Sequence, residues 1–147
     1  MRAQSLRILL IDDNRHGLVA RRSVLEQHGH KVVVASTGQD GLDQFDEQAF
    51  DIVVTDYRMP GVSGQQVIRK LRQQSPRTPI VLLSGYVEAM GLSEQSTGAD
   101  IVLSKGPREV QDLLRAVARL SKRRAPAKPP AAERARAAAA SSKRKTG

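Results

Sequence analysis

Five short runs rich in Ile, Val and Leu punctuate the chain: Leu6–Ile11, Val32–Ala35, Asp51–Thr55, Ile80–Leu83 and Ile101–Leu103. Their apolar residues are continuous rather than alternating, the pattern of strands covered on both faces. Segments with helical spacing lie between them. The clearest is the last, where Val110, Leu113, Leu114, Val117 and Leu120 form one stripe, with Pro107 at its start, where a missing N–H costs nothing. Leu42 and Phe45 mark a second helix opened by Thr37, and Val67, Ile68 and Leu71 a third opened by Ser63; each hydroxyl can accept from a free N–H of the first turn. Periodicity is weakest from Tyr86 to Gln95. Strand and helix alternating five times predict a mostly parallel sheet with helices on both faces, an α/β sandwich.

Charge divides the chain in two. Residues 1–120 hold 15 Lys/Arg against 14 Asp/Glu, whereas residues 121–147 hold 9 against 1. From Ser121 onward Ala, Pro, Lys and Arg dominate, with no aromatic and almost no bulky aliphatic residue, so no core can form there. The expectation is a folded domain over residues 1–120, which is material for one hydrophobic core, and a disordered basic tail over 121–147. The Ala-rich stretch Glu133–Ala140 is too short to hold a helix in water without packing. Polyanions are the natural contacts of such a tail, and without aromatics to stack on bases any nucleic-acid binding is non-specific phosphate contact. The chain has no cysteine, which excludes disulfides, thiolate metal ligands and cysteine nucleophiles. Ile8–Ile11 is too short for a signal-peptide core or a bilayer span, so a cytoplasmic protein with no membrane partner is expected.

The residues that follow the apolar runs carry the chemistry. Asp12 and Asp13 follow the first, Asp56 the third, Ser84 the fourth and Lys105 the fifth. Parallel strands end on one edge, and ligands bind there where the strand order reverses, so these side chains should converge. The second run ends in Ala35 and Ser36, as suits an edge strand away from that crevice. Three adjacent carboxylates repel one another unless a cation is bound. Oxygen donors with no His or Cys nearby favour Mg²⁺ or Mn²⁺. Lys105 offers a fixed positive charge for phosphoryl oxygens and Ser84 a hydroxyl; phosphoryl transfer needs little more than an in-line nucleophile and neutralised equatorial oxygens. Asp56 is the best-placed nucleophile, giving an aspartyl phosphate. An Asp after a strand is ordinarily a helix cap or turn former; the joint placement of five such groups argues for a site. His16, His28 and His30 read as solvated, and Tyr86 as an ordinary packed aromatic.

Together the acidic pair Asp12-Asp13, the string Asp56-Tyr57-Arg58-Met59-Pro60-Gly61-Val62-Ser63-Gly64, Ser84 after Ile80–Leu83, and Lys105 resemble the receiver domains of bacterial two-component response regulators, over about Leu6 to Leu120. The resemblance implies a flavodoxin-like (βα)5 sandwich with parallel strand order 2-1-3-4-5. It implies that Asp13 and Asp56 ligate Mg²⁺ directly, Asp12 through water, and that the Arg58 backbone carbonyl completes the site. It further implies a single-domain response regulator that takes a phosphoryl group onto Asp56 from a sensor histidine kinase or phosphotransfer protein. Such a domain catalyses its own phosphorylation and hydrolysis without being an enzyme on an independent substrate, and signals to a downstream effector protein. Two departures stand out. Val102 occupies the position three before the lysine, where an aromatic switch residue is usual, and Gly106 rather than proline follows Lys105.

Two rivals are weighed against this. An aspartate-nucleophile phosphatase would place two acids one residue apart after the first strand, unlike Asp12-Asp13. The other is a degenerate receiver scaffold whose basic tail binds polyanions.

Overall fold

The computed structural model describes residues 5–122; the segment 123–147, nearly all of the expected disordered basic tail, lies outside the described residues. Five strands, β1 (Arg7–Ile11), β2 (Lys31–Ala35), β3 (Ile52–Asp56), β4 (Ile80–Ser84) and β5 (Ile101–Ser104), form one sheet of order β2-β1-β3-β4-β5. Every pairing is parallel. This is the expected order, and each strand begins or ends within a residue of its expected bounds.

Two cores explain the unbroken apolar runs. Ile8 and Leu10 point into a cluster with Leu18, Leu25, Leu113, Val117 and Leu120, while Leu9 and Ile11 point into another with Leu42, Phe45, Val67, Ile68 and Leu71. Alternate residues of each strand therefore enter opposite layers, and both faces exclude water. All five residues of β3 and of β4 are buried. Each fully buried Leu or Ile contributes about 1.5–3 kcal/mol of transfer free energy.

The helices are α1 (Arg15–Gln27), α2 (Gly38–Glu47), α3 (Gly64–Gln74), α4 (Val87–Met90), α5 (Glu94–Thr97) and α6 (Glu109–Ser121). Thr37 accepts from Asp40 N–H to cap α2, and Ser63 caps α3 in a reciprocal capping box with Gln66. The segment with the weakest periodicity resolves into two single turns, α4 and α5, too short to show a repeating stripe. Pro107 does not open α6: the helix starts two residues later, and Pro107 lies in the turn before it. His30 is half-buried rather than solvated, because its Nδ1 accepts the Leu6 N–H at 3.2 Å and ties down the entry to β1; burial, then the charge of His28, lower its pKa.

One close approach matters for the site. Gly64 opens α3 directly against the end of β3, and a Cβ there would run into the Asp56 carbonyl oxygen. The Gly64 N–H donates to the Tyr57 carbonyl at 2.8 Å, closing the 57–64 loop.

Candidate functional site

Because all five strands run the same way, their C-terminal ends share one edge, and the chemistry-bearing residues arrive there together. Asp12, Asp13 and Asp56 each present a carboxylate oxygen within 4.8 Å of the others. Lys105 Nζ lies 3.0 Å from Asp12 Oδ2 and 3.2 Å from Asp56 Oδ1. An open cleft of about 650 Å³, lined by Asp13, Asn14, Asp56, Arg58, Gly85, Tyr86 and Lys105, faces these groups.

Each carboxylate has a different environment. Asp13 is exposed and does not cap the helix; Asn14 does, accepting from the Gly17 N–H. Asp12 is 2 % exposed, and its Oδ1 accepts the Asn14 N–H at 2.9 Å. Burial pushes its pKa up, but the Asn14 N–H, Lys105 and Arg21 together outweigh burial and leave it below the ordinary value. Asp56 goes the other way. Burial and then the neighbouring charge of Asp12 raise its pKa, against the lowering effects of Lys105 and of the Tyr57 N–H, which donates to Oδ1 at 2.8 Å. Oxygen donors packed this closely, with no His or Cys among them, are the donor set of a hard divalent cation.

Ser84 ends β4 fully buried, and its Oγ accepts the Tyr86 N–H at 3.0 Å. Lys105 N–H donates to the Ser84 carbonyl at 2.9 Å, linking the ends of β4 and β5. Arg58 lines the cleft, its guanidinium 4.7 Å from the centroid of the Tyr86 ring. Tyr86 is thus an exposed wall of the cleft rather than a packed core aromatic. Val102 does not reach the cleft; it faces Leu82 across the sheet and packs against the second core. The described residues contain no cis peptide, at Lys105–Gly106 or elsewhere.

Arg21 was missed in the sequence. It extends from α1 into the acid cluster, 5 % exposed, and donates to Asp12 Oδ2 at 2.7 Å and to Glu109 Oε2 at 3.2 Å. A signal was present: Leu18, Arg21 and Leu25 follow helical spacing, so an arginine interrupts an otherwise apolar stripe.

The response regulator receiver domain family matches residues 8–118. The chain belongs to that family. The receiver domain from Clostridium thermocellum superimposes with a TM-score of 0.71 at 31 % identity, covering 80 % of this chain and 94 % of that one. The response regulator TrrA of Thermotoga maritima, crystallised in complex with Mg(2+)-BeF, gives 0.69 at 28 % identity, covering 78 % and 97 %. Among sensor proteins, the sensory/regulatory protein RpfC of Xanthomonas campestris is 34 % identical over 110 residues, 71 % of this chain. This receiver spans only 6–15 % of the length of the curated sensor proteins it matches. Its structure is the five-stranded sandwich of the chemotaxis-type receivers, homologous both to response regulators and to the receiver domains of sensor proteins. Receiver domains bind Mg²⁺ at an acidic pocket of this kind. No helix among the described residues is long and apolar enough to cross a membrane.

Proposed function

We propose that Asp56 is the phosphoacceptor of this receiver, and that a sensor histidine kinase or phosphotransfer protein is the donor. The carrying observation is the asymmetry of the three acids: Asp12 contacts Lys105 but does not line the cleft, Asp13 lines the cleft but makes no ion pair with Lys105, and Asp56 does both. Both close contacts to Asp56 fall on Oδ1, so Oδ2 is the oxygen left to attack. In the transfer a bond forms between Oδ2 and phosphorus while the phosphorus–nitrogen bond of the donor histidine breaks, and the imidazole leaves with the electron pair. Water later attacks the acyl phosphate and returns Asp56 as a carboxylate with inorganic phosphate. The chain thus catalyses its own phosphorylation and dephosphorylation.

Asp13, Asp56 and the Arg58 backbone carbonyl would hold Mg²⁺ directly, with Asp12 acting through water; Mn²⁺ suits the same donors. When bound, the ion neutralises charge on the phosphoryl oxygens. Lys105 supplies a second positive charge on the same group, and Ser84 a hydroxyl within the same edge. The Ser84 and Lys105 backbones are already hydrogen-bonded, so drawing both side chains toward a phosphate shifts β4 and β5 as a unit. With Val102 in place of a ring, the change reaches an effector protein as backbone displacement.

The test is transfer of labelled phosphate from a phosphohistidine donor, followed by hydroxylamine. Release of the label, with a hydroxamate left at Asp56, supports the assignment; label that resists hydroxylamine, as a Ser84 ester would, refutes it.

A degenerate scaffold is not favoured, because the acids, hydroxyl and lysine are all present and converge. The tail supports an additional role. Its nine Lys/Arg against one Asp/Glu over residues 121–147 suit non-specific contact with nucleic-acid phosphates, separable from the switch.

A further inference from the structure

The acid pocket contains a cation of its own. Arg21 is buried, its two terminal nitrogens reach Asp12 and Glu109, and its Nε has no hydrogen-bond partner. Burying a guanidinium with one donor unsatisfied is costly unless its charge is needed where it sits. The backbone makes room for it: a Cβ on Gly17, one turn earlier, would lie 2.6 Å from the Arg21 terminal nitrogen that holds Asp12. Asp12 already accepts three donors. Its Oδ2 receives both Arg21 and Lys105, and its Oδ1 receives the Asn14 N–H.

The other end of Arg21 is equally informative. Glu109 is the first residue of α6, which starts without a side-chain cap and has no fully buried residue before Leu113. The Arg21–Glu109 pair is therefore a tie that fastens the first turn of α6 to the acid pocket. Helices α1 and α6 pack together on the same face of the sheet.

We propose that Arg21 is a positioning residue that competes with the divalent ion for Asp12, so that loading the pocket loosens its hold on Asp12 and, through Glu109, resets the start of α6. This rests on the acid cluster being the metal site. A divalent ion that draws on Asp12 weakens the attraction between Asp12 and the guanidinium, and the shared arginine then shifts toward Glu109. Occupancy would thus reach α6 by a route separate from Ser84 and β5.

The test uses the full chain and Mg²⁺ alone, titrated by calorimetry into the parent, Arg21→Met, Arg21→Lys and Asp13→Ala. Removing a buried positive charge beside a carboxylate of the site should tighten Mg²⁺ binding in Arg21→Met on the order of tenfold, while Arg21→Lys, which keeps the charge, stays within about threefold of the parent. A second measurement does not depend on the methionine variant folding: the Arg21 Nε–H resonance of the parent, identified by its absence in Arg21→Lys, should move as Mg²⁺ is added. A folded Arg21→Met that binds no tighter than a parent that does bind, or an unmoved resonance in that parent, overturns the role of Arg21 alone. No Mg²⁺ binding by the parent or any variant overturns the metal-site reading together with it.

Discussion

Replacing Lys105 with methionine tests the charge balance of the site. The ammonium sits 3.0 Å from Asp12 Oδ2 and 3.2 Å from Asp56 Oδ1. At an effective dielectric constant of about 20, each pair is worth about 5 kcal/mol of gross attraction. The Lys105 side chain is 25 % exposed, so desolvation and solvent screening offset most of this, and Arg21 still serves Asp12. The expected net loss is about 2 kcal/mol in urea unfolding near neutral pH without divalent ions. The pH dependence gives the diagnosis. Asp56 has a raised pKa in the folded state, from burial first and Asp12 second, and Lys105 is the larger of the influences that oppose this. Without Lys105 the folded-state pKa rises further above the unfolded value. An acid with a raised folded pKa penalises folding above that pKa, and the penalty fades as pH falls through it toward the ordinary value of 3.8. Asp12 has the opposite sign: its stabilisation is present above the ordinary pKa and is lost as pH falls through its lowered one. Asp56, with the raised pKa, takes up its proton at higher pH than Asp12, with the lowered one, so the deficit of Lys105→Met should be smaller at mildly acidic pH than at neutral pH. It should also fall by about half in an Asp56→Asn background, where one of its two ion pairs is gone. A deficit of the same size at both pH values and in both backgrounds would mean that Lys105 acts through packing, and the electrostatic account of the site would be wrong.

Asp13→Ala should abolish Mg²⁺ binding by calorimetry yet leave apo unfolding within about 0.5 kcal/mol, since Asp13 is exposed and Asn14 makes the cap; loss of the fold would assign it a structural role. Gly64→Ala should cost about 1–3 kcal/mol in a thermal melt and slow phosphorylation, because the new methyl group meets the Asp56 carbonyl; a variant as stable and as fast as the parent would show that the α3–β3 contact does not position Asp56. A chain cut after Leu120 should keep phosphorylation but lose retention on duplex DNA, whose logarithmic salt slope in the full chain is about 0.9 per phosphate contacted. Equal retention of both forms would remove the tail from the account.

Strand runs were legible because a sheet buried on both faces demands unbroken Ile, Val and Leu. Asp12, Asp13, Asp56, Ser84 and Lys105 were legible because parallel strands deliver their ends to one edge. What escaped was set by tertiary packing. Arg21 stands on the apolar stripe of α1, but what it serves there is invisible locally; only the fold brings Asp12 to one side of it and Glu109, 88 residues on, to the other. The single turns α4 and α5 offer too few residues for a period to emerge. Pro107 suits both a helix start and a preceding turn, and the choice between them depends on how β5 hands the chain to α6. Solvated histidines fit His16 and His28, but His30 accepts a hydrogen bond from the backbone of a distant strand entry.

The central claim, that Asp56 receives the phosphoryl group with the help of a divalent ion, is tested most directly by intact-mass spectrometry after incubation with acetyl phosphate and Mg²⁺. The parent should gain the mass of one phosphoryl group, lose it on exposure to base, and gain nothing when Mg²⁺ is chelated; Asp56→Asn should gain nothing under any condition. An Asp56→Asn protein that still takes up one phosphoryl group, or a folded parent that never does, would contradict it.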